Sequence, residues 1–487
     1  MTTELTQAAI ARHTAANPGG IAVINNGISI SYGDLGRAVA SFSEALVALG
    51  LRPGQVAAIE CGVQYLHLLL VLACERLGVV SASFAASELE QSLPLLAQVD
   101  LTITEQPARA AGARRVHAIT KSWVDATLSS SPGPMTPVPE ARSDPWRIQR
   151  TSGTTGTQKR VLLGRGVRDG RIASWARIDE FAPGHRVLIA LRFTFGSAYW
   201  QAAMALRAGA IIVFENRITL TEALALHRID RVTLMPLQLR EMLERMPPTF
   251  TRPPALAITT MGGRVSPAVR RRALELAAVR LREVYSCNEA GNIAMVERDD
   301  DAAIGTLCPG AQVDIVDERD VVLPYGQVGR IRVRTPYMAD GFIDDPEATA
   351  RMFRNGWFYP GDVGILHAPD RLEVIGRDDE ILNIGGLKTV PGVIEDTLRA
   401  RSKVDDVGAC VLPNADGVDE LWVALVYDAS DDRDIRERIM PALRDFPYGH
   451  IRLIKLDRIP RTESGKIKRA ELREAVASER RSSAARG

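Results

Sequence analysis

The 487-residue chain has almost no net charge: 60 Lys and Arg stand against 59 Asp and Glu, which leaves +1 with the histidines neutral. That balance excludes the broadly basic surface that holds nucleic acid by neutralising its phosphates, so no nucleic-acid partner is expected. Cysteine is scarce as well. Cys61, Cys74, Cys287, Cys308 and Cys410 show no CxxC or Cys/His spacing, which excludes a disulfide framework and a structural zinc site. Long apolar runs are missing too. The most apolar stretch, Leu68 to Cys74, is followed at once by Glu75 and Arg76, far short of the roughly 20 residues that cross a bilayer. The N-terminal MTTELTQAAIARHTAANPGG has no basic segment ahead of an apolar core, so no signal peptide is expected and the cytoplasm is the expected address. Histidines such as His185 and His450 show no triad spacing.

What is present is ordinary globular usage, 46% apolar and 24% charged, over a length that predicts two or three units. The order of patterns predicts an α/β architecture. Leu35, Val39, Phe42, Leu46 and Leu49 recur at helical steps, so Ser31 to Leu49 is expected as a helix that Gly50 ends. Val56 to Ile59 follows as a strand and Tyr65 to Leu77 as a buried helix. The strand pattern recurs at Arg186–Leu191, Ile211–Phe214, Val232–Met235 and Leu281–Tyr285. Five prolines between Ser129 and Pro145 mark a connector. From about Gly305 the alternation in Val313–Val316 and Gly329–Arg334 predicts antiparallel strands with one wet face. Beyond Arg377 a smaller α+β region is expected, with a frayed tail from Val476 to Gly487; no internal repeat is visible.

Chemistry concentrates in four segments. Thr151-Ser152-Gly153-Thr154-Thr155-Gly156-Thr157-Gln158-Lys159 combines hydroxyls, glycines and one lysine. Glycines let backbone N–H groups approach phosphate oxygens, hydroxyls add donors and the lysine adds charge. It is not a Walker A loop, because Gln158 stands where the second glycine belongs; the alternative is a flexible Ser/Thr/Gly linker. Trp357-Phe358-Tyr359-Pro360-Gly361-Asp362, followed by Gly376-Arg377-Asp378-Asp379, offers a carboxylate for two ribose hydroxyls and an arginine beside it. Taken singly, either is equally a surface turn. Pro460-Arg461-Thr462-Glu463-Ser464-Gly465-Lys466-Ile467-Lys468-Arg469 has the look of a solvated charge run. Tyr285-Ser286-Cys287-Asn288-Glu289 ends an apolar strand with a carboxylate able to hold Mg²⁺.

In this order, the segments resemble the adenylate-forming superfamily of acyl-CoA synthetases, nonribosomal peptide adenylation domains and luciferases. TSGTTGTQKR resembles the family's TSGTTGxPKG, YSCNE its YGxTE, WFYPGD its W-x-x-T-G-D, GRDDEILNIGGLKTVPGVIE its hinge motif and PRTESGKIKR its C-terminal lysine motif, while GRIRVRTPYMADGFIDDPEAT fits the segment ahead of W-x-x-T-G-D. The match runs from about Ile28 to Leu472. The resemblance implies a large N-terminal domain over 1–376, made of two helix-packed sheets plus a small β-barrel over about 305–376. It also implies a hinge at 377–379 and a mobile α+β lid over 380–487. It further implies that a carboxylic acid is joined to the α-phosphate of ATP and then passed to a thiol. In that scheme Thr151, Ser152, Gly153, Thr154, Thr155, Gly156 and Lys159 cradle phosphates, and Glu289 binds Mg²⁺ with Asn288 beside it. Asp362 and Arg377 take the ribose, while Gly262, Gly263, Arg264 and Tyr285 surround the nucleotide. Lys466 reaches carboxylate and α-phosphate, and Asp379 is the pivot.

Three departures stand out: Pro360 replaces the threonine of W-x-x-T-G-D, Asn288 that of YGxTE, and Gln158 and Arg160 alter the phosphate loop. Amino-acid-activating relatives place an aspartate where this chain has Gly196, and a buried ammonium without that counter-charge is costly. An α-amino acid is therefore not expected. Phe193, Gly196, Tyr199, Met235 and Cys287 are the expected substrate pocket, apolar or aromatic-lined, for an aryl or small-to-medium acyl acid. Gly385 and Gly386 leave room for a pantetheine arm. Free CoA is the expected acceptor, a separate carrier protein the alternative. No carrier-domain pattern follows Arg469, so a stand-alone enzyme is expected; a non-catalytic ATP-binding relative is the remote alternative.

Overall fold

The computed structural model describes residues 5–133, 144–150, 159–297, 304–378, 382–384, 387–389, 391–402, 404–414, 419–427, 432–443, 451–462 and 465–486. Among them, the helix expected from Ser31 runs Tyr32–Ala48, and the Ser31 side chain accepts the Asp34 amide while Asp34 reaches back. This reciprocal cap satisfies amides that a helix start otherwise leaves unpaired. The helix ends where expected, with Gly50 at φ +86°.

Two large sheets share one core. In the first, Ile21–Asn25, Ile211–Phe214, Arg186–Leu188, Arg231–Leu234, Ala257–Met261 and Arg280–Cys287 lie parallel in that order. In the second, Val116–Ala118, Leu101–Thr104, Val56–Glu60, Val80–Phe84 and Pro145–Arg150 lie parallel, with Arg160–Gly164 antiparallel at the edge. The helices Gln64–Leu77 and Gly196–Ala208 supply buried residues to a single apolar cluster that draws on both sheets. Helices buried on most sides need no polar face, and Leu66–Cys74 is accordingly a near-continuous apolar run.

The first sheet does not stop at its parallel part. Gly291–Val296 turns back antiparallel to Arg280–Cys287 and leads through Ile304–Leu307 to Arg371–Arg377, Asp362–Ala368 and Val328–Arg334. The expected alternating strands at 313–316 and 329–334 pair antiparallel within this region. The segment 305–376 is thus continuous with the sheet of the parallel strands. Beyond Arg377, Asp406–Pro413, Asp419–Val426 and Ile451–Lys455 form a separate sheet packed by Pro391–Ser402, Asp432–Leu443 and Arg469–Arg486.

The tail corrects an expectation. It is not frayed from Val476: the helix Arg469–Arg486 carries Leu472 and Val476, four apart on one face, into a cluster with Cys410 and Ile459. Most of the proline-rich connector, 134–143, lies outside the described residues. No helix among the described residues is long and apolar enough to cross a membrane.

Candidate active site

The parallel strands of the first sheet end at a cavity of about 890 Å³. Clefts at the carboxyl ends of parallel strands are where α/β sheets place their ligands. Three distant parts of the chain meet there: the strand pair around Cys287, the turn at Asp362, and Lys466 beyond the separate C-terminal sheet.

Asp362 opens the strand Asp362–Ala368 directly after Gly361, whose φ of +76° is a left-handed conformation that glycine adopts without strain. One carboxylate oxygen accepts the Tyr285 hydroxyl, and the other accepts Arg377 Nη1 at 3.1 Å. Arg377 also donates to the Pro360 carbonyl at 2.7 Å. Cross-strand register makes this possible, since Asp362 pairs with Arg377. Burial raises the proton affinity of Asp362, and the charges of Arg377 and Lys466 oppose that rise. The Tyr285 phenol is pushed far up by burial and then by Asp362, so it stays a donor.

Glu289 stands past the end of the strand Arg280–Cys287. Burial raises its carboxyl too, with Arg171 opposing. Arg171, itself brought down to about 10 by burial, donates to the carbonyls of Asn288 at 2.9 Å, Glu289 at 3.2 Å and Tyr337 at 3.2 Å. A buried guanidinium thereby fixes the backbone that carries Glu289. The Asn288 amide donates to the Arg150 carbonyl at 2.7 Å, tying this turn to the strand that precedes residue 151. Part of the amide expected to face phosphate is spent on that tie. Cys287 is half-buried, its thiol pushed up by burial, and its sulfur accepts the Ala290 amide at 3.3 Å. A protonated thiol in that position is no nucleophile.

Of the remaining expected residues, Lys159, Gly196, Met235, Gly262, Gly263 and Arg264 line the cavity. Lys159 lies 3.3 Å from Met352 Sδ and 5.0 Å from the Phe342 ring centre. Phe193 and Tyr199 do not line it. Phe193 is 1% exposed and stacks on His67 at 5.3 Å, and Tyr199 is fully buried with its hydroxyl on Glu75. For Tyr199 the reason is helical phase: on Gly196–Ala208, Gly196, Ser197 and Trp200 face the cavity while Tyr199 packs on Trp146 of the second sheet. Both expectations are corrected to core roles. Thr151, Ser152, Gly153, Thr154, Thr155 and Gly156 lie outside the described residues, as do Asp379, Gly385 and Gly386.

The sequence reading missed several lining residues: Arg150, Arg171, Trp175, Trp200 and Asn292. Trp200 was within reach, four residues after Gly196 on the same helix face. Arg171 and Trp175 gave no signal, since a polar-looking helix hides its buried arginines in composition alone. Among the described residues, no group of three or more His, Cys, Asp or Glu side chains could hold a metal ion by itself. A single carboxylate such as Glu289 would be enough for Mg²⁺ arriving with phosphates, because that ion keeps waters and takes one or two carboxylates.

Comparison with known proteins gives the chain a family and a fold. The profile of the family described as AMP-binding enzyme matches residues 10–343. The chain is 27% identical to an indoleacetate–CoA ligase of Aromatoleum aromaticum, over 96% of this chain and 97% of that protein. It is 26% identical to the fatty acid–[acyl-carrier-protein] ligase ScoC of Streptomyces coeruleorubidus, over 95% and 94%. Its fold is that of ATP-bound MatB from Rhodopseudomonas palustris, with a TM-score of 0.84 at 22% identity over 97% of this chain and 99% of that one.

Proposed function

The chain belongs to the AMP-binding enzyme family, and from that premise we propose that it is an AMP-forming acid–thiol ligase for an aryl or small-to-medium acyl acid. The observation that carries this reading is the meeting of Asp362, Arg377, Glu289 and Lys466 in one cavity, from segments up to 177 residues apart in sequence.

In the first step a carboxylate oxygen attacks the α-phosphorus of ATP; the bond to the β-phosphate breaks and pyrophosphate leaves. A carboxylate is a poor electrophile, and its adenylate is a good one because AMP departs readily. In the second step a thiol attacks the acyl carbon, loses its proton and displaces AMP. Asp362 accepts ribose hydroxyls, and Arg377 holds that carboxylate in place and charged. Glu289 would hold Mg²⁺, which screens phosphate charge. Lys466, exposed where it lines the cavity, meets the charge that builds between acid and α-phosphate. The acceptor is CoA in the first reading. A carrier protein is the second, favoured by the whole-chain similarity to ScoC.

The test is pyrophosphate release with ATP and Mg²⁺ across aryl, fatty, short-chain and amino acids, with and without CoA, the products weighed by mass spectrometry. An acyl-CoA mass supports the first reading. An acyl-adenylate with no acyl-CoA supports the second, and no release with any acid overturns both. Lys466→Ala should slow adenylation by about 10²- to 10³-fold and spare thioester formation from supplied acyl-adenylate. Equal loss in both half-reactions would remove Lys466 from this role.

A further inference from the structure

Away from its charged groups the cavity is walled by Trp175, Trp200, Met235, Met261 and Val284. Such a wall suits an aromatic ring. Of the Ser, Thr and Asn side chains that interrupt it, Thr194, Ser286 and Asn288 are half-buried and two are almost fully buried. Asn292 is 3% exposed, and Ser197 is 7% exposed. The strand register pairs Asn292 with Ser286 at a break between Tyr285 and Ser286, and Asn292, Ser286 and Val284 all line the cavity.

Both side chains have hydrogen bonds to spare. Among the described residues, the Asn292 side chain has no hydrogen-bond partner; the Tyr337 hydroxyl donates at 3.5 Å to its backbone carbonyl. The Ser197 carbonyl accepts Gln201 Nε2 at 3.2 Å, while its hydroxyl has no partner among the described residues. A third group lies beside Gly196. Gln149 is 5% exposed, both ends of its amide are unbonded among the described residues, and it fills the place where a side chain at Gly196 would begin. Buried polar groups are bonded in nearly all native structures, and one left unbonded costs about as much as the bond would gain. Unspent amide and hydroxyl groups in an otherwise apolar wall mark the place of a polar ligand group.

Resting on the ligase reading above, we infer that the acid is an aromatic carboxylic acid whose ring bears a hydroxyl or amino substituent, bonded by Asn292 and Ser197. An amide and a hydroxyl each donate and accept, which fits either substituent. A plain aromatic acid would bury these groups without partners and be rejected for that reason.

The experiment measures kcat/KM for pyrophosphate release with benzoic, phenylacetic and cinnamic acids, each against its hydroxy and amino derivatives at every ring position. In the wild type, one substituted acid should exceed its parent by about 10- to 100-fold. Asn292→Leu should bring that ratio close to one, and Ser197→Ala should lower it less. The ratio is insensitive to partial misfolding, which slows both acids alike. A parent acid equal to or better than all its derivatives overturns the inference, as does a ratio unchanged in both variants. Release with fatty acids alone overturns it and leaves the ligase reading standing. No release with any acid overturns the ligase reading and this inference together.

Discussion

Two groups of buried polar residues lie within the same core, and they treat their hydrogen bonds differently. Between the sheets, Arg147 donates to Ser81 at 3.2 Å, to Ser83 at 2.7 Å and to the Phe193 carbonyl at 2.8 Å. His67 shares Ser83 at 2.8 Å, Tyr199 donates to Glu75, and Arg168 pairs with Glu75 at 3.4 Å. These residues spend their polar atoms mainly on one another. In the cavity, Asn292 and Ser197 keep theirs. The first arrangement is structural polarity, which locks the layers and holds the Phe193–Gly196 turn at the cavity wall. The second is polarity reserved for a ligand. Burial alone does not separate the two; the partner list does.

Breaking the first group should cost stability and leave acid preference alone. Arg168→Met strands the Glu75 carboxylate, and loss of one partner of a buried pair costs about 3–5 kcal/mol. Urea unfolding should show that drop, with an unchanged ratio between acid substrates. A shifted ratio would mean the interlayer group reaches the cavity after all.

A smaller effect tests the boundary between the two groups. Gly196→Ala puts a methyl group into the Gln149 amide, and overpacking of this kind costs about 1–3 kcal/mol. Gln149→Ala added to it should return most of the loss, measured again by unfolding. Failure of that rescue would place the strain elsewhere.

The smallest effect is a pH dependence. Burial, aided by the Arg147 charge, brings His67 from its ordinary 6.5 down to about 3. The unfolded imidazole takes a proton below about pH 6.5 and the native one does not. Stability is therefore full above that pH and is lost as pH falls toward 3, by about 1 kcal/mol between pH 7 and 5.5. His67→Asn should flatten this slope in denaturant midpoints taken across that range.

Much of the architecture was legible from short-range pattern. Helical steps from Leu35 to Leu46 and the terminating Gly50 placed the helix Tyr32–Ala48, because both signals act within one or two turns. Apolar runs placed the strands at Ile211–Phe214 and Arg231–Leu234 within a residue. The residues that gather in the cavity were legible only as segments: Asp362 and Arg377 were suspected together because they sit close in sequence, and the register Asp362 to Arg377 explains why they meet. The tail from Val476 was misread, since its helix is held by Cys410 and Ile459, which no local pattern connects to it.

The sequence by itself determined the class of fold, the order of its elements and the segments proposed to carry phosphate, ribose and lysine chemistry. Those properties follow from periodicity and residue type along a short stretch of chain. Only the tertiary structure decided which face each side chain took. It sent Phe193 and Tyr199 into the core, spent part of Asn288 on the Arg150 carbonyl, and brought Asn292 and Ser197 into the cavity with bonds to give. The physical reason is that helical phase, a break in strand register and the packing of two sheets together fix direction, and none of these is written within reach of a single motif.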